Sequence, residues 1–252
     1  MNLKTSAEIT IMAEGGRRLA QVLETLRQAV HPGIPTLELD RLAYDLITKG
    51  GDEPAFLGYI PGGTDKPYPA TLCASVNDTV VHGLPSNYIL KDGDLLKLDL
   101  GLIHKKFYLD SAITVGVGKI SKEAQNLMEV TERAMYAGIE AAKAGSTLGD
   151  IGAAVQAIIE ENGFGVVRTL TGHGIGRELH EDPNVYNYGK RGSGEKLMPG
   201  LVIAIEPMVT MGGRDVRQAK DDSFVTKDGS LAAHFEHTVA ITEQGTKILT
   251  KI

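Results

Sequence analysis

The chain has a single cysteine, Cys73, in 252 residues. That excludes an internal disulfide and suits a reducing compartment. No apolar run approaches the ~18 residues of a membrane-spanning helix, and the opening stretch MNLKTSAEIT lacks the apolar core of a signal peptide. A cytoplasmic protein with no membrane association is expected. Positive charge is also short. Lys and Arg number 26 against 32 Asp and Glu, for a net charge of −6, and the basic residues are scattered, which argues against specific nucleic-acid binding. Several catalytic signatures are missing as well. There is no G-x-S-x-G elbow. Gly172-His-Gly-Ile-Gly176 lacks the G-x-G-x-x-G spacing of a dinucleotide site, and Gly118-Lys119 lacks the glycine that a P-loop needs.

What is present centres on Asp94–Gly118, DLLKLDLGLIHKKFYLDSAITVGVG. It reads as a hairpin. Leu96, Leu98, Leu100 and Leu102 share one face of the first strand; Leu95, Lys97, Asp99 and Gly101 share the other. A turn centred on His104-Lys105 pairs Leu102 with Phe107 and Leu100 with Leu109, and sets Asp99 opposite Asp110. Opposed like charges in apolar strands require a counterion or a shared proton. That turn lacks the Asn-Gly a two-residue hairpin prefers.

Around the hairpin, Thr5-Ser-Ala-Glu8 is a capping box for a helix running to His31-Pro32-Gly33. Thr36 caps a second helix that stops at Gly50-Gly51. Phe56–Pro69 reads as loop and Thr71–Asn77 as a strand. Helices follow from Ser121 and from Gly145-Ser-Thr147, then a strand over Val166–Thr171, a buried strand Leu201–Ile205 ending at Glu206, and a strand-rich tail carrying Glu236 in HFEHTVAIT. The two halves, about 1–119 and 120–252, echo one another: helices opening at similar motifs, then strands, His-Gly, and strands with acids. A duplicated α+β domain with its acids at the junction is one reading; chance similarity is the other.

Glu206 and Glu236 each interrupt an apolar, β-rich segment. A lone carboxylate there is most often an edge residue or an ion-pair partner, but four such acids are harder to explain that way. With His173 in a Gly-rich turn they make four carboxylates and one imidazole. Two divalent cations neutralise that set, and oxygen-dominated ligation with one His suits Mn, Fe, Co or Zn. His31 and His104 are expected to be solvent-exposed. His234, beside Glu236, has no firm placement.

The motifs SVNDTVVHGLP, KLDLG…YLDSA, GHGIGRELHEDP, IEPM and FEHTVAIT, in that order, resemble the type I methionine aminopeptidase family over nearly the whole length. The resemblance implies an α+β pita-bread fold, pseudo-two-fold in its halves, with a curved antiparallel sheet backed by helices. It implies two divalent metal ions: Asp99 on one, Asp110 and Glu236 bridging, His173 and Glu206 on the other. A metal-bridged water attacks the first peptide carbonyl, with Glu206 a candidate proton shuttle, and His82 and His180 contact substrate. Tyr68, Cys73, Leu179 and Phe224 fall at methionine-pocket positions. The implied reaction removes the initiator methionine from nascent polypeptides, by a monomer in transient contact with the ribosome. The short Glu206–Glu236 spacing and the absence of an N-terminal zinc-binding extension imply a compact, bacterial-like form.

The chain departs from the family in four places. It has no Trp where the pocket usually carries one, Ser223 or Phe224 standing there. Leu179 replaces an aromatic residue, Leu109 a small one, and Ile60–Pro67 is inserted. Two other functions remain open at this stage: a prolidase-like or aminopeptidase P-like enzyme with the same ligands, and a non-catalytic binding module.

Overall fold

The computed structural model describes residues 1–60 and 66–252; most of the Ile60–Pro67 insertion therefore lies outside the described residues. Helix α1 (Ser6–Ala29) opens at the expected capping box, Thr5 and Glu8 each accepting the other's backbone N–H. Helix α2 (Thr36–Lys49) is capped differently from expectation. Pro35 holds the cap position, and the Thr36 hydroxyl instead exchanges hydrogen bonds with the backbone of Ser86. Strands β1 (Glu53–Pro54), β2 (Leu72–Val76), β3 (Thr79–Val81), β4 (Leu95–His104) and β5 (Phe107–Gly116) follow. Helix α3 (Lys122–Ala141) is capped by Ser121, and α4 (Leu148–Glu161) by a Thr147–Asp150 box. The remainder is strand: β6 (Gly165–Val166), β7 (Gly172–Gly174), β8 (Glu181–Val185), β9 (Val202–Ile205), β10 (Met208–Thr210), β11 (Val216–Gln218), β12 (Phe224–Thr226), β13 (Ala232–His234), β14 (Glu236–Thr242) and β15 (Gly245–Ile248). The strand expected over Val166–Thr171 shrinks to β6. Its partner β10 is three residues long, and after Val167 donates to Met208 the ladder has nothing further to offer.

Nine strands form one curled antiparallel sheet in the order β1-β4-β5-β14-β9-β7-β8, with β2 on β4 and β15 on β14. One core packs Met12, Leu19, Leu26, Leu39 and Ile47 of α1 and α2 on Leu96, Leu98, Leu100 and Leu102. A second packs Leu127, Ile151 and Val155 of α3 and α4 on Ile203, Ile205, Val239 and Ile241. Each fully buried Leu is worth about 1.5–3 kcal/mol. The leucine face of β4 offsets part of the cost of burying Lys97 and Asp99 on its other side.

The hairpin register differs from the expected one. His104 pairs with Phe107 and Leu102 with Leu109, so Asp99 faces Ala112 and Asp110 faces Gly101. The two acids are diagonal neighbours on one face, not directly opposed. The turn is Lys105-Lys106, both at positive φ (48° and 73°), a conformation normally left to Gly or Asn. Tertiary contacts hold it: Lys105 reaches Glu14 at 2.8 Å, and α1 lies directly beneath. A Cβ on Gly15 would stand 2.7 Å from His104 Cβ and 2.8 Å from Leu109 Cδ2, so Gly15 makes the room that Leu109 fills. His104 is accordingly buried, not exposed, with its Nδ1 2.7 Å from Asp52 Oδ1.

Candidate metal centre

The acids reach one place because the sheet order brings distant strands together. Asp99 (β4), Ala112 (β5) and Glu236 (β14) lie in one row across the sheet, and Cys73 of β2 extends it on the Asp99 side. Asp110 enters two residues along β5. Its backbone is tied to β14 by Thr238, whose hydroxyl donates to Asp110 O at 2.7 Å, while Ser111 Oγ donates to Glu236 O at 2.7 Å. The β14–β9 ladder runs through His237 and Ile205 to the adjoining Glu236 and Glu206. Asn187 Nδ2 donates to Glu206 O at 3.0 Å. His173 comes from β7, which approaches β9 so closely that a Cβ on Gly172 would meet Ala204 O at 2.4 Å.

Asp99, Asp110, His173, Glu206 and Glu236 line a cleft of about 1050 Å³, together with His82, His180, Tyr68, Cys73, Leu179 and Phe224. The four carboxylates are costly where they stand. Burial pushes Asp99, Glu206 and Glu236 well above the usual carboxylate range, and neighbouring acids push them further. Burial raises Asp110 to about 7. Asp99 Oδ1, Asp110 Oδ1 and Glu236 Oε1 are buried without a hydrogen-bond partner among the described residues. Buried carboxylate oxygens left without partners are what a divalent cation satisfies, so the residues fit a metal. Donor atoms of Asp110, His173 and Glu236 lie within 4.8 Å of one another, as do those of Glu206, His234 and Glu236. Asp99 belongs to neither trio and stands beside Asp110.

The histidines are kept neutral. Burial lowers His173 to about 3 and His82 to about 4, with His180 adding to both, and burial lowers His180 too. His173 Nδ1 sits 2.9 Å from Gly174 O. Acting there as the donor, it leaves Nε2 with a free lone pair. His180 packs edge-on against His173 at 4.4 Å between ring centroids. His82, at φ 60° after β3, packs edge-on against Phe224 at 5.9 Å.

Two side chains at the site were not singled out by sequence. The Tyr59 hydroxyl lies 2.6 Å from His180 Nδ1. His234 lies beside Glu206, fully buried and held to about 3, by burial first and then by His82 and Lys97. Strand parity with Glu236 was the only available signal for His234. Tyr59 had none, since the partner lies 121 residues away. Met1 and Asn2 also line the cleft.

The sequence pattern of metallopeptidase family M24 matches residues 10–243. The chain belongs to this family. This M24 metallopeptidase is 48% identical over 251 residues to a methionine aminopeptidase of Clostridium perfringens, covering 99% of this chain and 98% of the relative. Its fold superposes on the crystal structure of methionine aminopeptidase from Rickettsia prowazekii with a TM-score of 0.96 at 36% identity, covering all of both chains. The architecture is thus the pita-bread fold. The prolidase from Pyrococcus horikoshii shares it less closely, with a TM-score of 0.79 at 25% identity, covering 99% of this chain and 63% of that one. Among the described residues no helix is long and apolar enough to cross a membrane.

Proposed function

We propose that this M24 metallopeptidase is a methionine aminopeptidase that removes the N-terminal methionine of polypeptides. The observation that carries the reading is the full-length match to a methionine aminopeptidase, joined to a cleft in which the buried Asp99, Asp110 and Glu236, the partly buried Glu206 and the neutral His173 converge. We assign Asp99, Asp110, His173, Glu206 and Glu236 as ligands of two divalent ions; cobalt, manganese, iron and zinc all suit that donor set. When bound, such ions polarise the first peptide carbonyl and make water a nucleophile at neutral pH.

The chain's own groups do the rest. Glu206 has a raised proton affinity, which suits a shuttle that takes a proton from the attacking water and returns it to the departing amine. A Tyr59 hydroxyl donating to His180 Nδ1 leaves the ring proton on Nε2, ready to meet a substrate oxygen. His82 offers a second neutral ring. Tyr68, Cys73, Leu179 and Phe224 form the apolar surface against which a methionine side chain packs, with Phe224 in place of the missing Trp. An apolar pocket discriminates by about 1–3 kcal/mol per methylene, so this substitution leaves room for methionine. The setting we propose is the cytoplasm, where a monomer acts on nascent chains with transient ribosome contact.

The test is an assay of metal-replete protein on Met-Ala-Ser, Leu-Ala-Ser and Ala-Pro-Ser. Selective release of Met is expected. Cleavage of Ala-Pro-Ser alone moves the reading to prolidase-like chemistry, and silence on all three with folded, metal-loaded protein refutes an aminopeptidase.

A further inference from the structure

Glu206 sits between two imidazoles. Its Oε1 is 3.5 Å from His173 Nε2 and its Oε2 is 3.4 Å from His234 Nε2. We infer that His234 is a second imidazole ligand of the metal centre, binding through Nε2 beside Glu206 and Glu236. The inference rests on the metal reading above and adds a nitrogen donor that the family resemblance does not supply.

Three observations carry it. First, His234, Glu206 and Glu236 bring one donor atom each to within 4.8 Å of one another, the same closeness as the trio that contains His173. Second, the His234 ring is 1% exposed, and neither of its nitrogens has a hydrogen-bond partner among the described residues. A buried imidazole stripped of water and left unpaired is costly. The contact with Glu206 fails hydrogen-bond geometry, so that cost is unanswered among the described residues, and a cation on Nε2 answers it. Third, the backbone that carries the ring is held in place. His234 pairs with Met208 at the end of β13. Its N–H donates to Thr114 Oγ1 at 2.9 Å, and its carbonyl accepts from the same hydroxyl at 2.7 Å. This anchorage is the pre-organisation a ligand needs.

The consequence is a shift in metal preference. Imidazole donors favour cobalt, zinc and iron, whereas carboxylates alone suit manganese and magnesium. The experiment titrates metal-free wild type, His234→Gln and His234→Ala with Co²⁺ and with Mn²⁺ by calorimetry and records the Co²⁺ visible spectrum. Circular dichroism checks each fold. Glutamine keeps a polar group near Glu206 but is a poor ligand. Both variants are expected to bind one Co²⁺ at least about tenfold more weakly, to lose less for Mn²⁺, and to show an altered Co²⁺ band. Two Co²⁺ ions at wild-type affinity with an unchanged band in His234→Gln would mean that the ring only steadies Glu206, and the assignment falls. Pulsed EPR of Cu²⁺-loaded wild type needs no substitution: two coordinated imidazoles are expected, and one alone overturns the inference. Wild type that binds no divalent ion refutes the metal reading itself, so the two failures are told apart.

Discussion

Asp110→Asn should stabilise the metal-free protein, by an amount that grows with pH, and should gain less stability from metal than wild type does. Burial holds the Asp110 carboxyl at about 7, against an ordinary 3.8. A folded-state pKa above the unfolded one means that the proton favours the fold. Its contribution is complete below the unfolded value and is lost as pH rises through the folded one. At about 1.4 kcal/mol per pH unit the full span is worth about 4 kcal/mol; between about pH 5.5 and about pH 7.5 roughly 2 kcal/mol of it disappears. Asparagine has nothing to lose. The neutral histidines His82, His173 and His234 work the other way, costing stability as pH falls through their unfolded value. They are common to both proteins and cancel in the comparison. Removing Asp110 also relieves Glu206 and Glu236, which its charge pushes up, so the difference can only widen. The assay is thermal unfolding of both proteins in chelator across that pH range. The variant's advantage should grow by about 4–8 °C for a domain of this size. Manganese at about 100 times its Kd then adds about 2.7 kcal/mol to wild type and less to the variant, narrowing the variant's advantage. An advantage in chelator that is flat with pH, or that shrinks, refutes the account of the buried acids.

Three more expectations follow from single contacts. Tyr59→Phe removes the 2.6 Å hydrogen bond to His180, worth about 0.5–1.5 kcal/mol. It should lower kcat on Met-Ala-Ser by about 2- to 10-fold with little change in KM; a change in KM alone makes Tyr59 a binding contact instead. Lys4→Ala strands Glu181, whose side chain is 2% exposed and ion-paired to Lys4. Breaking a buried pair costs about 3–5 kcal/mol, and denaturant unfolding should register it. Gly172→Ala drives a methyl group into Ala204 O at 2.4 Å. The overpacking costs about 1–3 kcal/mol and moves His173, so calorimetry should find weaker metal binding alongside a lower melting temperature.

The helices were legible because their signals are local: Thr5 and Glu8, Ser121, and Thr147 and Asp150 each cap within four residues. The face of Asp99 on its strand was legible from period-two alternation. What Asp99 pairs with was not, because register depends on the turn, and this turn runs through two lysines with no intrinsic preference for positive φ. It is fixed from outside, by Glu14 and by the space above Gly15, and no window of sequence around the hairpin contains either. His104 was misplaced for the same reason: its partner Asp52 arrives from the far end of α2. The candidate metal site shows the limit most clearly. Asp99, Asp110, Glu206 and Glu236 can each be marked as an acid in an apolar strand. Their convergence depends on β14 entering between β5 and β9, a neighbour relation that no local pattern encodes. His234 follows from the same topology. Parity with Glu236 was one of two readings and left it without a firm placement. Only the pairing of β13 with Met208, just beyond Glu206 on β10, turns that parity into an imidazole facing a carboxylate.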